Sequence, residues 1–231
     1  MLNRVTILAF DLDDTLWPCT PVLTKAEQTL YAWLSQHYPR ITAVYSAEQL
    51  IELRQQFALQ NKHFSIDLSL MRYEFLKQLA SENGYDAHVV AKNGFDVFYN
   101  ARQQVSFYDD VLPVLERLVS NYRLGAVTNG NANVARVGLG HLFEHAVSAI
   151  DLQVAKPDPR IYQNLADRFQ APAEQILYIG DHPENDVIGA QAAGLQAIWI
   201  NREDQSWPHT LTPPKYQINN LYELEALLSD Y

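Results

Sequence analysis

The spacing of apolar positions changes character twice along the chain. Thr6-Ile7-Leu8-Ala9-Phe10 is a continuous apolar run, too short for a core helix and typical of a strand buried on both faces. It breaks into Asp11-Leu12-Asp13-Asp14-Thr15-Leu16, where extended chain would turn Asp11 and Asp13 to one face and Leu12 to the core. From Val22 to about Val105 apolar residues recur at helical spacing, in four stripes. These are Leu23, Ala26, Leu30, Trp33 and Leu34; Leu50, Leu53 and Phe57; Leu68, Phe75, Leu76 and Leu79; and Val90, Val97, Phe98 and Ala101. Breaks fall at Tyr38-Pro39-Arg40 and Glu82-Asn83-Gly84, and no strand pattern interrupts the stretch.

From Tyr108 the rhythm alternates between strand and helix. Asp109 is expected to cap a helix through Val114, Leu115 and Leu118, and Leu124–Val127 to form a strand ending in Thr128-Asn129-Gly130. Ala146–Ile150 reads as a third strand, Asp158-Pro159 as a helix start, and Ile176–Ile179 as a fourth strand ending at Gly180-Asp181. The next helix stops at Gly194 in a left-handed cap; Leu195–Ile200 is a fifth strand and Leu221–Leu228 a closing helix. Repeated strand–helix units predict an α/β fold whose parallel sheet is covered on both faces. Its core comprises residues 1–17 and 106–231, interrupted by a helical bundle over 18–105.

Composition narrows the partners. Hydrophobic residues make up 48% of 231, enough for a substantial core. The 17 lysines and arginines against 27 acids leave a formal charge of -10, which argues against nucleic acid or an anionic membrane as partner. A phosphorylated small molecule stays compatible if a local cation and a lysine invert the field. The lone Cys19 excludes an internal disulfide and suits a reducing compartment. With no signal-like or long uncharged apolar segment, a cytoplasmic location is expected.

In open α/β sheets ligands bind outside the carboxyl ends of the strands. Asp11 and Asp13 follow the first strand, Thr128 and Asn129 the second, and Asp181 the fourth, with Asp186 in the turn beyond. Lys156 lies just past the third, in Ala155-Lys156-Pro157. Singly these are turn, capping or surface residues, and the first acidic turn alone reads equally as solvated loop. Jointly they bring four carboxylates, one amine and one hydroxyl to a single sheet edge. Carboxylates crowded there repel one another unless a hard divalent cation takes their oxygens.

The order Asp11-x-Asp13-x-Thr15, Thr128, Lys156, Gly180-Asp181 and Asp186 resembles the four motifs of the haloacid dehalogenase superfamily. The helical insertion resembles that family's helical cap class on a Rossmann-like core. Leu124 to Trp199 is further similar to bacterial phosphatases of flavin mononucleotide (FMN) and of 5-amino-6-(5-phospho-D-ribitylamino)uracil. The resemblance implies a Mg2+-dependent phosphomonoesterase acting on a small phosphorylated metabolite through an aspartyl-phosphate. Asp11 would be the nucleophile and Asp13 the general acid–base. Mg2+ would lie between Asp11, the Asp13 main-chain carbonyl, Asp181 and Asp186. Lys156 and Thr128 would act in catalysis and bind the phosphoryl group, Asn129 would add a contact, and Arg72 would meet substrate from the cap. Within the superfamily the acid at Asp13 marks phosphatases and phosphomutases rather than dehalogenases. A phosphonate hydrolase would need a cap lysine, and none of Lys25, Lys62, Lys77 and Lys92 sits in a distinctive pattern. A non-catalytic binding module would have lost Asp11, Asp13 or Lys156, and all three are present.

Overall fold

The computed structural model describes residues 4–229. The chain divides into two compact units, one from the segment up to Pro18 together with the chain from Ser106 onward, the other Cys19–Val105. The first holds a six-stranded sheet in the order β3-β2-β1-β4-β5-β6, with every neighbouring pair parallel. Its strands are β1 Ile7–Phe10, β2 Arg123–Thr128, β3 Phe143–Ser148, β4 Ile176–Gly180, β5 Gln196–Ile200 and β6 Gln217–Ile218. All four residues of β1 are buried, as a central strand requires. Parallel pairing on both sides brings Phe10 level with Ala126 and Ile179, so β1, β2 and β4 run out together.

Local chemistry explains most of the boundaries. In the second unit, α1 Cys19–His37 buries Val22, Ala26, Leu30 and Leu34 at four-residue spacing, while Leu23 is left exposed. A short helix, α2 Pro39–Thr42, occupies the expected break. Ser46 and Gln49 form a capping box at the start of α3 Ala47–Gln60. Asp67 and Asp86 cap α4 Leu68–Glu82 and α5 Ala87–Arg102 by accepting from Leu70 N and Val89 N. Gly94 lets α5 approach closely: a Cβ there would lie 3.2 Å from Trp33 and 3.3 Å from Leu76.

Two expected elements shift in the sheet unit, and one strand is added that the sequence did not predict. The helix α6 Val111–Leu118 has Asp110, not Asp109, at its cap position, and Asp110 does not cap with its side chain. Its carboxylate instead accepts from Leu221 N at 2.5 Å and pairs with Arg202. The third strand starts at Phe143 and stops at Ser148, because Ser148 and Asp151 close a capping box that turns Ala149–Leu152 into α7. β6, two residues long, is supported by tertiary pairing to β5 and carries no periodic signal. Asp158 and Pro159 start α8 Pro159–Phe169 as expected, and Gly194 takes φ +86° after α9 Gly189–Ala192. Among the described residues no helix is long and apolar enough to cross a membrane.

Candidate active site

Four strand ends converge on one buried amine. Lys156 follows β3 and α7, and its side chain is 3% exposed. Its Nζ donates to Asp11 Oδ1, to Asp186 Oδ1 at 2.6 Å and to Tyr178 Oη at 3.2 Å. Asp11 is held at the end of β1 by its N–H, which donates to Ile179 O at 2.9 Å. Tyr178 stands on β4 and donates its hydroxyl proton to Val127 O at 3.0 Å, which leaves its oxygen to receive the ammonium. Asp186 is 1% exposed and its second oxygen accepts from His182 N at 2.9 Å. The wide helical turn Pro183–Ile188 brings it back over β4.

Asn129 secures the amine from behind. Its Oδ1 accepts from Lys156 N at 2.7 Å and its Nδ2 donates to Lys156 O at 3.0 Å. This pair of bonds fixes the Lys156 main chain from the end of β2. Thr128 Oγ1 accepts from Gly130 N at 2.9 Å, and a hydroxyl that accepts there keeps its proton to donate elsewhere.

Asp181, just past β4, completes the acidic set. Ligand oxygens of Asp11, Asp181 and Asp186 all lie within 4.8 Å of one another. Thr15 Oγ1 donates to Asp181 Oδ1 at 3.1 Å, and the Trp199 indole N–H donates to the Asp181 main-chain oxygen at 2.6 Å. The Asp13 carboxylate has a partner of its own. The chain turns at Asp14, which takes φ +60°, and Asp13 Oδ1 accepts the Trp17 indole N–H at 2.9 Å.

The charges in this cluster do not balance. Three carboxylates face one ammonium, with little water to screen them. Burial first, then Asp186 and Asp181, push the Asp11 carboxyl well above its ordinary range against the opposing pull of Lys156. Burial and the neighbouring Asp186 carry Asp181 up to about 7. Burial alone would lower the Lys156 pKa, but Asp11 and Asp186 outweigh it and hold the amine charged. A hard oxygen donor set with an excess of negative charge fits a divalent cation such as Mg2+. The expected pH dependence follows from the sign of these shifts. The folded chain keeps a proton on Asp181 that the unfolded chain has already lost, so metal-free stability falls as pH rises from about 4 to 7. Cation binding must displace that proton, so Mg2+ should raise Tm more at about pH 8 than at about pH 5.5 by differential scanning fluorimetry.

Gly180 is required by close approach. A Cβ on it would overlap the Asp186 carboxylate, which packs directly on the β4 backbone. Gly180→Ala should displace Asp186 from Lys156 and lower turnover about 10-fold or more, an effect on the scale of lost ligand support. Steady-state kinetics with circular dichroism on the same samples would separate that from unfolding.

One further expectation meets different surroundings. Arg72, expected to contact substrate, is buried within the helical unit. It donates to both Glu27 oxygens at 3.1 and 2.7 Å, and its guanidinium lies 3.3 Å from the Phe98 ring centroid. A buried guanidinium needs such a partner, and the helical stripe containing Leu68, Phe75 and Leu79 gives no sign that Glu27 supplies it. Lys77 and Lys92 pair with Glu74 and Asp96 within their own helices. Residues that the sequence reading left without a role are Tyr178, Thr15 and Trp199, each bonded across the sheet edge. Only Thr15 carried any signal, as the last position of the first acidic motif.

The parallel sheet with acids, amine and hydroxyl at its carboxyl edge defines a hydrolase of the haloacid dehalogenase class. The chain belongs to the haloacid dehalogenase-like hydrolase family, whose model matches residues 5–194. Particular relatives differ in chemistry. It is 29% identical over 98% of both chains to 5-amino-6-(5-phospho-D-ribitylamino)uracil phosphatase YigB of Escherichia coli. It is 26% identical over 95% of both to a glyceraldehyde 3-phosphate phosphatase of Methanopyrus kandleri. Its structure is also similar to that of a 2-haloacid dehalogenase from Pseudomonas syringae pv. Tomato, at 36% identity and TM-score 0.89, covering 98% of this chain and 99% of the other.

Proposed function

We propose that the chain is a Mg2+-dependent phosphomonoesterase acting on a small phosphorylated metabolite. The observation that carries this reading is the three-carboxylate cluster around a single buried lysine, an arrangement whose charge calls for a divalent cation. In this reading Asp11, Asp181, Asp186 and the Asp13 main-chain carbonyl would hold the cation, which would supply charge neutralisation to the carboxylate and phosphoryl oxygens.

The remaining roles follow from the chain's own groups. An Asp11 carboxylate oxygen attacks phosphorus, the P–O bond to the leaving group breaks, and an aspartyl-phosphate forms. Asp13 gives its proton to the departing alkoxide, then takes one from the water that hydrolyses the acyl phosphate. The Trp17 indole, fixed on the Asp13 carboxylate, holds it for this exchange. Lys156 neutralises the nucleophile and the phosphoryl oxygens as charge builds, and Thr128 donates its hydroxyl proton to one of them. FMN and 5-amino-6-(5-phospho-D-ribitylamino)uracil are the first substrates to try, given the E. coli relative. The charge of -10 supports a small-molecule partner rather than nucleic acid or membrane, and the single cysteine supports a cytoplasmic setting.

A second reading, 2-haloacid dehalogenase, is favoured by the Pseudomonas syringae structure and by curated relatives such as (S)-2-haloacid dehalogenase 4A of Burkholderia cepacia. Against it, a haloacid brings no phosphoryl oxygens to share a cation with the carboxylate cluster. The distinguishing assay measures phosphate release from p-nitrophenyl phosphate, FMN and sugar phosphates beside halide release from 2-chloropropionate, each with Mg2+ and with EDTA. Phosphate release that needs Mg2+ is expected. Halide release indifferent to EDTA, without phosphatase turnover, would replace this reading with the second.

A further inference from the structure

Arg202, two residues beyond β5, is a buried cation that the chemistry above does not use. Its side chain is 8% exposed, and its Nη2 has no hydrogen-bond partner among the described residues. Nε–H donates to Thr15 O at 2.7 Å, Nη1–H reaches the two Asp110 oxygens at 3.2 and 3.1 Å, and the guanidinium lies 4.0 Å from the Tyr108 ring centroid. An apolar residue would fill such a place without a desolvated charge or an orphaned donor, so stability alone is a poor reason for an arginine.

Its shortest bond suggests a better one. Thr15 is wholly buried, and the side chain of this same residue donates to Asp181. The Arg202 bond therefore sets the peptide from which the Thr15 hydroxyl points. Three residues earlier, Trp199 grips the Asp181 main-chain oxygen. The end of β5 thus holds both halves of the Thr15–Asp181 hydrogen bond. Asp110, which aligns the guanidinium, is itself anchored on Leu221 N at the start of α10 Leu221–Ser229.

We propose that Arg202 is a positioning residue for the cation site, orienting Thr15 so that its hydroxyl fixes Asp181. This rests on the reading of Asp181 as a cation ligand. The test is Mg2+ binding itself, measured by isothermal titration calorimetry and by Trp fluorescence, with turnover as a second readout. Arg202→Ala should weaken Mg2+ about tenfold, at the lower end of outer-shell effects. Thr15→Val should weaken it similarly, and the double variant no further, because the two act through one contact. Arg202→Lys, which keeps charge and stem but cannot fork between Thr15 and Asp110, should fall in between and serves if the alanine variant does not fold. Arg117→Ala, which breaks the exposed Arg117–Glu225 pair, should leave Mg2+ affinity unchanged and controls for general loosening.

A wild-type chain that binds no Mg2+ would end the cation reading and this proposal with it. A wild type that binds Mg2+ with an Arg202→Ala or Arg202→Lys variant of equal affinity would overturn this proposal alone. Losses from Arg202→Ala and Thr15→Val that simply multiply would also overturn it, since Arg202 would then not act through Thr15.

Discussion

Asp11→Asn is expected to lower phosphatase turnover by at least ~10³-fold while the fold persists, because the amide keeps the side chain's shape and loses the nucleophilic oxygen. The stability response separates this residue from an ordinary salt-bridge partner. Asp11 is held well above the usual carboxylate range, mainly by burial and then by its acidic neighbours despite Lys156. Ionising it at neutral pH therefore costs the folded state free energy rather than contributing stability. With Asp186 still bonded to Lys156, the metal-free variant should melt at or above the wild-type temperature near pH 8. Loss of turnover with undiminished Tm in scanning fluorimetry is the expected pair of results. Turnover close to wild type would remove Asp11 from its role.

Lys156→Met should have the opposite character, costing activity and stability together. Among the described residues the amine is the one cation bonded to both Asp11 and Asp186, and its side chain is 3% exposed. Removing it leaves buried acids uncompensated, a change that costs about 3–5 kcal/mol when a buried pair is broken. Turnover should fall roughly 10³-fold, comparable to loss of a preorganised charge-stabilising group. Without the amine the carboxylates hold their protons to still higher pH. Unfolded carboxylates ionise near their ordinary values, so the deficit should grow between about pH 5.5 and pH 8. Mg2+ then becomes the main counter-charge and should raise the Tm of this variant more than that of wild type. Chemical denaturation at the two pH values, each with and without Mg2+, measures all of these terms.

The divide between what the sequence disclosed and what it hid follows the range of the interactions. Thr6–Phe10 announced a buried central strand because burial on both faces demands an unbroken apolar run. Asp158-Pro159 and Gly194 announced helix ends because caps and left-handed turns act within a few residues. Asp11, Lys156, Asp181 and Asp186 could be gathered in advance because strand ends of a parallel sheet share an edge. What stayed hidden was the partner each side chain would find. Asn129 looked like a turn residue near substrate, and only the fold brings Lys156, 27 positions away, under its amide. Arg72 was expected to meet substrate, and its partner Glu27 is 45 positions distant. The third strand was placed late because Ala149 and Ile150 suit a strand, and the Ser148–Asp151 capping box turns them into α7. Tyr178 read as one more buried strand residue, although its hydroxyl links Val127 to the buried Lys156 amine.

At the centre of this account is a covalent phosphoryl group on the side chain that closes β1. Acid quenching during turnover of a phosphomonoester, followed by proteolysis and mass spectrometry, reads it directly. The peptide carrying Asp11 should gain the mass of one phosphoryl group in the wild type and not in Asp11→Asn. Sustained phosphate release with that peptide unmodified and the added mass on another residue would contradict the account.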